Sequence, residues 1–416
     1  MLNSYTKTIV RQLLQKNYYL QATKIFLIFS TSILLVSCGG GSSTGGSSNS
    51  SIDRMIVLGD SLTDAGTFGY KATIQGSAAT GVNSAQVFTD LIATNKSLSA
   101  PCNYYVGTPD NVYAATFTVN PTSGCTNFSS LGGRVIYRDA TSTPTSSDPR
   151  GLPVQISTAA AVLGGYTSKD LIIVGAAGND FADLFGAALA VLTTTGATQT
   201  TALSSFGTFV SAIIPAATVN ATLASVVDSA TLSSALASLG AAYSAGLATG
   251  LNSAIESGII NMGGEKIVLY SSAPVTSTPR FAVILSAIEA SSGAAAKSLI
   301  ENLFNDWNAT YNLTQESLAL SSDKIIFYDV YDALNKYQAS PTSYGFSNAT
   351  DPACPIVGVG AGGPEYDLKT CTQAAAQTAV GANYSTYLFS DNFHPSPFTY
   401  TVVASEILSE MSNQGW

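Results

Sequence analysis

Four short runs limit what this chain can fold into: Met55–Leu58 ahead of Gly59, Asp170–Val174 ahead of Gly175, Lys266–Tyr270, and Lys324–Tyr328 ahead of Asp329. Dominantly apolar runs of this length, without polar alternation, mark strands buried on both faces. Between them lie stretches with helical patterning: Ser84–Asn95, residues 150–168, two or three helices within 184–260, and about Phe281 to Leu320. Strands alternating with helices predict an α/β chain whose mostly parallel sheet is covered on both faces. With 46% hydrophobic and 10% charged residues, the chain has enough apolar material for a large core. We expect one domain over residues 53–416, carrying an Ala/Ser-rich helical insertion at 184–260.

Open sheets of this kind bind ligands beyond the carboxyl ends of their strands. Gly59-Asp60-Ser61-Leu62 follows the first run, where Gly59 lets the backbone turn and Ser61 offers its hydroxyl at the rim. Gly178-Asn179-Asp180 follows the second. Each stretch alone also reads as ordinary turn chemistry, with Ser61 as a helix cap. The far end of the chain decides between these readings. His394 is the only histidine, and it follows Asp391 at a spacing of three. A serine hydroxyl is a poor nucleophile without a base in hydrogen-bond reach. If Ser61 is the nucleophile, only His394 can supply an imidazole, and Asp391 can hold its tautomer.

Gly59-Asp60-Ser61-Leu62 and Asp391-x-x-His394 resemble the first and last blocks of the GDSL family of serine esterases and lipases, also called SGNH hydrolases. Two further blocks stand between them in the family's order: Gly178-Asn179-Asp180, and Asn127 to Val135, which is similar to Asn-Phe-Ala-x-Gly-Gly-Ala-Arg-Val. The resemblance covers roughly residues 54–400 and implies a three-layer α/β/α sandwich of the flavodoxin-like kind. It implies a catalytic triad of Ser61, Asp391 and His394. It also implies an oxyanion hole made by the N–H groups of Ser61 and Gly132 with the side chain of Asn179. The match departs at Leu131, where the family often has glycine, and this keeps Gly133 as an alternative to Gly132. The implied reaction is cleavage of small-molecule or lipid carboxylic esters through an acyl-enzyme, without a cofactor. An acyltransferase using the same triad and a non-catalytic surface-binding lipoprotein are the competing readings. The apolar 184–260 stretch, read as a cap or an inserted bundle, hints at a hydrophobic acyl group.

The first residues read as a targeting segment. Lys7, Arg11, Lys16 and Lys24 flank an apolar run, Ile25–Val36, that is too short to span a bilayer. The run ends in Leu35-Val36-Ser37-Cys38, which resembles the lipobox of bacterial lipoproteins. That resemblance implies a signal peptide over 1–37, a lipid anchor on Cys38 and a Gly/Ser-rich tether over 38–52. Gly39 stands where inner-membrane lipoproteins typically carry aspartate, so an outer-membrane anchor is expected. Of five cysteines, setting Cys38 aside leaves Cys102, Cys125, Cys354 and Cys371. In an exported chain four cysteines imply two disulfides with three possible pairings, and we favour the local ones, Cys102–Cys125 and Cys354–Cys371. Each such loop closure stabilises a fold by about 3 kcal/mol. One histidine and paired cysteines leave no zinc cluster, so Asp60 and Asp64 are expected to shape the serine turn rather than hold a cation. A net charge of −9 gives no basic footprint for nucleic acid, and we expect a monomer.

Overall fold

The computed structural model describes residues 51–76, 85–108, 115–138, 144–145, 147–360 and 363–416. The expected signal peptide, Cys38 and nearly all of the tether lie outside the described residues. The chain begins with β1 (Arg54–Gly59), α1 (Phe88–Asn95), the hairpin β2 (Tyr105–Thr108) and β3 (Thr116–Val119), and α2 (Leu152–Leu163). β4 (Asp170–Gly175) leads into α3 (Gly178–Leu192), α4 (Gly196–Val210), α5 (Ala216–Ala224) and the long α6 (Ser229–Gly258). Next come β5 (Lys266–Tyr270), α7 (Pro279–Ser292), α8 (Ala294–Leu320), β6 (Ile325–Tyr328) and α9 (Val330–Ala339). The last part holds β7 (Asn348–Pro352), β8 (Ile356–Gly360), β9 (Gly363–Tyr366), α10 (Gln373–Val380), β10 (Tyr387–Phe389) and α11 (Pro397–Asn413).

The four runs form one parallel sheet in the order β1-β4-β5-β6. Successive strand residues point to opposite faces, as the pleat requires. Ile56, Leu58, Ile172, Val174, Ile267 and Leu269 meet α2, α3, α6 and α8 in one apolar cluster. Met55, Val57, Leu171, Ile173, Val268 and Ile326 meet α1, α9 and α11 in another. Two helical layers around an apolar sheet make the expected three-layer arrangement. In register, Gly59 lies opposite Gly175, so the chain leaves β1 and β4 side by side at the same end of the sheet.

The expected element boundaries need three adjustments. The first helix begins at Phe88, not Ser84, and Ser84 itself lies outside the described residues. Asp90 sets that start: one of its oxygens accepts the Val87 N–H and the Lys71 Nζ, each at 2.8 Å. The Phe281–Leu320 stretch is two helices, broken at Gly293. The 184–260 stretch is not a bundle set apart from the core. Its longest helix, α6, buries Leu236, Leu239, Leu247, Leu251 and Ile255 in the same cluster as the sheet residues and packs on α8. It is the covering helix of the β4-to-β5 crossover, and α4 and α5 pack against α3 and α6.

Both favoured disulfides are present, Cys102–Cys125 and Cys354–Cys371. The first lies next to Thr126–Phe128, which runs along the free edge of β1. Thr126 O accepts the Val57 N–H at 3.0 Å, and the Phe128 N–H donates to Val57 O at 2.8 Å. Through this pairing the glycine-rich segment arrives beside the serine turn. Among the described residues no helix is long and apolar enough to cross a membrane.

Candidate active site

Ser61 sits just past β1, on a turn held from three sides. Gln155 of α2 clamps the Gly59 peptide, its Oε1 accepting the Gly59 N–H at 2.7 Å and its Nε2 donating to Gly59 O at 2.9 Å. Asp60 accepts the Leu62 N–H at 3.0 Å. Asp64 accepts from Gly66, Thr67 and Leu131, at 2.7, 2.8 and 2.6 Å. The two carboxylates flanking Ser61 therefore organise backbone, and Asp64 joins the serine turn to the glycine segment. Burial pushes the Asp60 and Asp64 carboxyls up to about 6 each, against the backbone N–H groups that pull them down.

Asp391 and His394 lie in the loop that leaves β10. The Asp391 Oδ1 accepts the N–H groups of Phe393 at 2.8 Å and His394 at 2.6 Å, a local turn that makes the spacing of three a structural unit. The same turn brings the imidazole back onto the carboxylate, with His394 Nδ1 2.9 Å from Asp391 Oδ2. On the other side of the ring, Nε2 lies 2.9 Å from Ser61 Oγ. A carboxylate at Nδ1 keeps the ring proton there, which leaves Nε2 to accept the Ser61 O–H. Burial presses the His394 pKa down, but the Asp391 charge and hydrogen bond outweigh it and hold the pKa above its ordinary value. For Asp391 the balance runs the other way: burial would raise it, yet His394 and the backbone donors keep it below the usual carboxylate range. The Cys354–Cys371 loop supports this turn, since the Cys354 N–H donates to Ser390 O at 2.8 Å.

The glycine segment and the Asn179 helix complete the arrangement. A Cβ on Gly133 would come within 2.6 Å of Gly59 O, so the segment packs directly under the serine turn. The Gly133 N–H is already given to Ser130 O, at 2.9 Å. Gly132, at φ +74°, occupies the left-handed region, and its N–H makes no hydrogen bond among the described residues. The Ser61 N–H is open in the same sense. Between the two candidates of the sequence, Gly132 is thus the one with a donor to offer. Asn179, in the first turn of α3, gives one Nδ2 hydrogen to Gly133 O at 3.0 Å, and its second Nδ2 hydrogen makes no hydrogen bond among the described residues. Asp180 accepts the N–H groups of Val135 and Ile136, at 2.9 and 3.1 Å, and locks this helix start to the glycine segment.

Gln155 and the clamping role of Asp180 are absent from the sequence-based expectations. Gln155 had one legible signal: it is a polar residue on the stripe formed by Leu152, Ile156 and Ala159, which is otherwise apolar.

A family model described as GDSL-like Lipase/Acylhydrolase matches residues 55–407. Among individual proteins, the chain is similar to a GDSL esterase/lipase of Arabidopsis thaliana, 31% identical over 104 residues, covering 25% of this chain and 26% of the relative. A second Arabidopsis thaliana GDSL esterase/lipase is 27% identical over 150 residues, covering 36% of this chain and 39% of the relative. An anther-specific proline-rich protein of Brassica napus is 33% identical over 90 residues, covering 22% of this chain and 18% of that protein. The matched stretches therefore span well under half the length of these three relatives.

Proposed function

Because this chain belongs to the GDSL-like lipase/acylhydrolase family, we propose that it hydrolyses carboxylic esters through an acyl-enzyme on Ser61. The observation that carries this reading is the unbroken relay of Asp391 Oδ2, His394 and Ser61 Oγ, with 2.9 Å at each step. Ser61 attacks the ester carbonyl while His394 Nε2 takes its proton and then passes it to the departing alcohol. Asp391 stabilises the imidazolium that exists between those two events. Water then attacks the acyl carbon while giving its proton to His394, and the acid leaves as the acyl–Oγ bond breaks and His394 returns that proton to Ser61 Oγ. The oxyanion that forms twice in this cycle is met by the N–H groups of Ser61 and Gly132 and by the second Nδ2 hydrogen of Asn179. The test is a serine-reactive fluorophosphonate: stoichiometric labelling of Ser61 with parallel loss of ester hydrolysis is expected. A folded protein that resists labelling at Ser61 would sink the proposal.

Asn179→Ala tests the oxyanion assignment separately. Loss of one preorganised donor lowers turnover by about 10²–10³-fold, because the interaction tightens as charge develops on oxygen. We expect that fall in kcat with little change in KM. Unchanged turnover on every ester tried would remove Asn179 from the site.

We also propose, from the lipobox-like Leu35-Val36-Ser37-Cys38, that the protein is exported with a signal peptide over 1–37 and a lipid anchor on Cys38 at the outer membrane. The two disulfides support an oxidising compartment.

A further inference from the structure

We propose that Gln155 is the residue that positions the oxyanion hole, acting through Gly59 and never touching substrate. The inference rests on the ester-hydrolase reading above, with Ser61, Gly132 and Asn179 as the oxyanion donors. The free edge of β1 shows how it acts. Val57 gives its N–H to Thr126 O and accepts the N–H of Phe128, the regular pattern of a parallel pair. Two residues further, the same pattern would send the Gly59 N–H to Phe128 O and the Ser130 N–H to Gly59 O. The first of these bonds is replaced, since the Gly59 N–H goes to Gln155 Oε1 at 2.7 Å. The second is stretched to 3.4 Å, and Gln155 Nε2 donates to the same Gly59 O at 2.9 Å. One side-chain amide thus holds both backbone groups of Gly59 where the glycine segment parts from β1.

That restraint is needed because Gly59 must be glycine. A Cβ there would lie 2.3 Å from the Tyr270 hydroxyl and 2.8 Å from Gly175 O. Glycine is also the residue with the most backbone freedom, so a turn that starts on one has to be held from outside. Ser61 and its N–H follow two residues later. On the other side, a Cβ on Gly133 would meet Gly59 O at 2.6 Å and the Asp60 Cα at 2.8 Å. Gly132 immediately precedes that contact, and Gly133 O takes one Nδ2 hydrogen of Asn179. All three donors are therefore built outward from Gly59. Gln155 itself is wholly buried on a helix face otherwise lined by Leu152, Ile156 and Ala159, and its Nε2 also donates to Pro149 O at 3.1 Å. Its influence on the reaction has to travel through Gly59.

The experiment measures kcat and KM on p-nitrophenyl acetate and butyrate, per Ser61 site counted by fluorophosphonate labelling. It compares the unaltered protein, Gln155→Met, Asn179→Ala and the two substitutions together. Gln155→Met keeps a side chain of similar length and removes its hydrogen bonds. A misplacement of about 1 Å costs ~10²-fold, so kcat per site should fall about 10²-fold with KM within about threefold. Groups that work as one unit are not additive, so with Asn179→Ala already present the same change should cost less than about tenfold. Equal costs in both backgrounds, or a kcat per site close to that of the unaltered protein, would overturn the inference and leave the hydrolase reading standing. Gln155→Glu covers the case in which Gln155→Met fails to fold. A neutral carboxyl can donate to Gly59 O and an ionised one cannot. Its kcat relative to the unaltered protein should therefore fall as pH rises through the pKa of the introduced carboxyl. A ratio that does not change with pH overturns the inference equally. Folded, unaltered protein that cleaves no ester and is not labelled at Ser61 removes the hydrolase reading, and this inference with it.

Discussion

Ser61→Ala is expected to abolish ester hydrolysis while leaving the fold intact. The two halves of that expectation have separate causes. Chemically, the variant loses the atom that forms the acyl-enzyme, and neither Asp391 nor His394 can replace it. In a serine protease, loss of the nucleophile costs about 10⁶-fold in kcat, and what remains comes from the oxyanion hole and substrate binding. We expect a fall of about 10⁵-fold or more here, with any residue of activity insensitive to fluorophosphonate. Structurally, the turn does not depend on the hydroxyl. Gln155 holds Gly59, Asp60 holds Leu62, and Asp64 holds Gly66, Thr67 and Leu131. Among the described residues the hydrogen-bond partner of Ser61 Oγ is His394, so the deletion forfeits one hydrogen bond, about 1 kcal/mol. Thermal unfolding should therefore shift by only a few degrees while the chromogenic assay goes silent. Retention of more than about one hundredth of the activity would mean that another group carries the reaction, and the assignment of Ser61 would be lost.

The parts of this site that were legible from sequence share a physical property: their information is local or scarce. The strands of the sheet are buried on both faces, so each appears as a run with few polar interruptions. His394 stands out because it is the chain's only imidazole, and its spacing from Asp391 is produced by the turn in which Asp391 accepts the Phe393 and His394 N–H groups. Gln155 acts on Gly59 across 96 positions, Asp64 on Leu131 across 67, and Asp180 on Val135 across 45. No period in the sequence announces such pairs. The same holds for the cavity beside Ser61 and Asn179, whose walls come from the ends of β4, β5 and β10 and from α9. Helix α1 starts late for a related reason, since the Asp90 carboxylate is shared between the Val87 N–H and a lysine 19 residues upstream. Tertiary partners, not propensity, fix those positions. The 184–260 segment shows the limit from another side: its small, uncharged residues announce helices and permit close packing but do not say whether the partner is the sheet or solvent.

Asp391→Asn is the second substitution with a large expected effect, and the turn geometry says why it should be severe rather than mild. Oδ1 accepts two backbone N–H groups, so an asparagine must place its carbonyl oxygen there to keep the turn. Its amide nitrogen then falls at the Oδ2 position, 2.9 Å from His394 Nδ1. An amide N–H facing Nδ1 forces that nitrogen to accept, and the ring proton moves to Nε2. Nε2 can then no longer take the proton of Ser61. In the serine proteases this tautomer change costs about 10⁴-fold in kcat with the geometry preserved, and a fall of about 10³–10⁴-fold is expected here. The pH profile separates this cause from simple damage. In the unaltered protein kcat/KM should rise with pH as His394 loses its proton, with a midpoint above the ordinary histidine value of about 6.5. Burial and the Arg280 charge press that pKa down, while Asp391 first and Asp60 after it hold it up. Without the Asp391 charge the downward influences win, so the residual activity of Asp391→Asn should show its limb at lower pH than the unaltered protein. A residual limb at the same or higher pH would mean that Asp391 is not the group that charges the balance at His394.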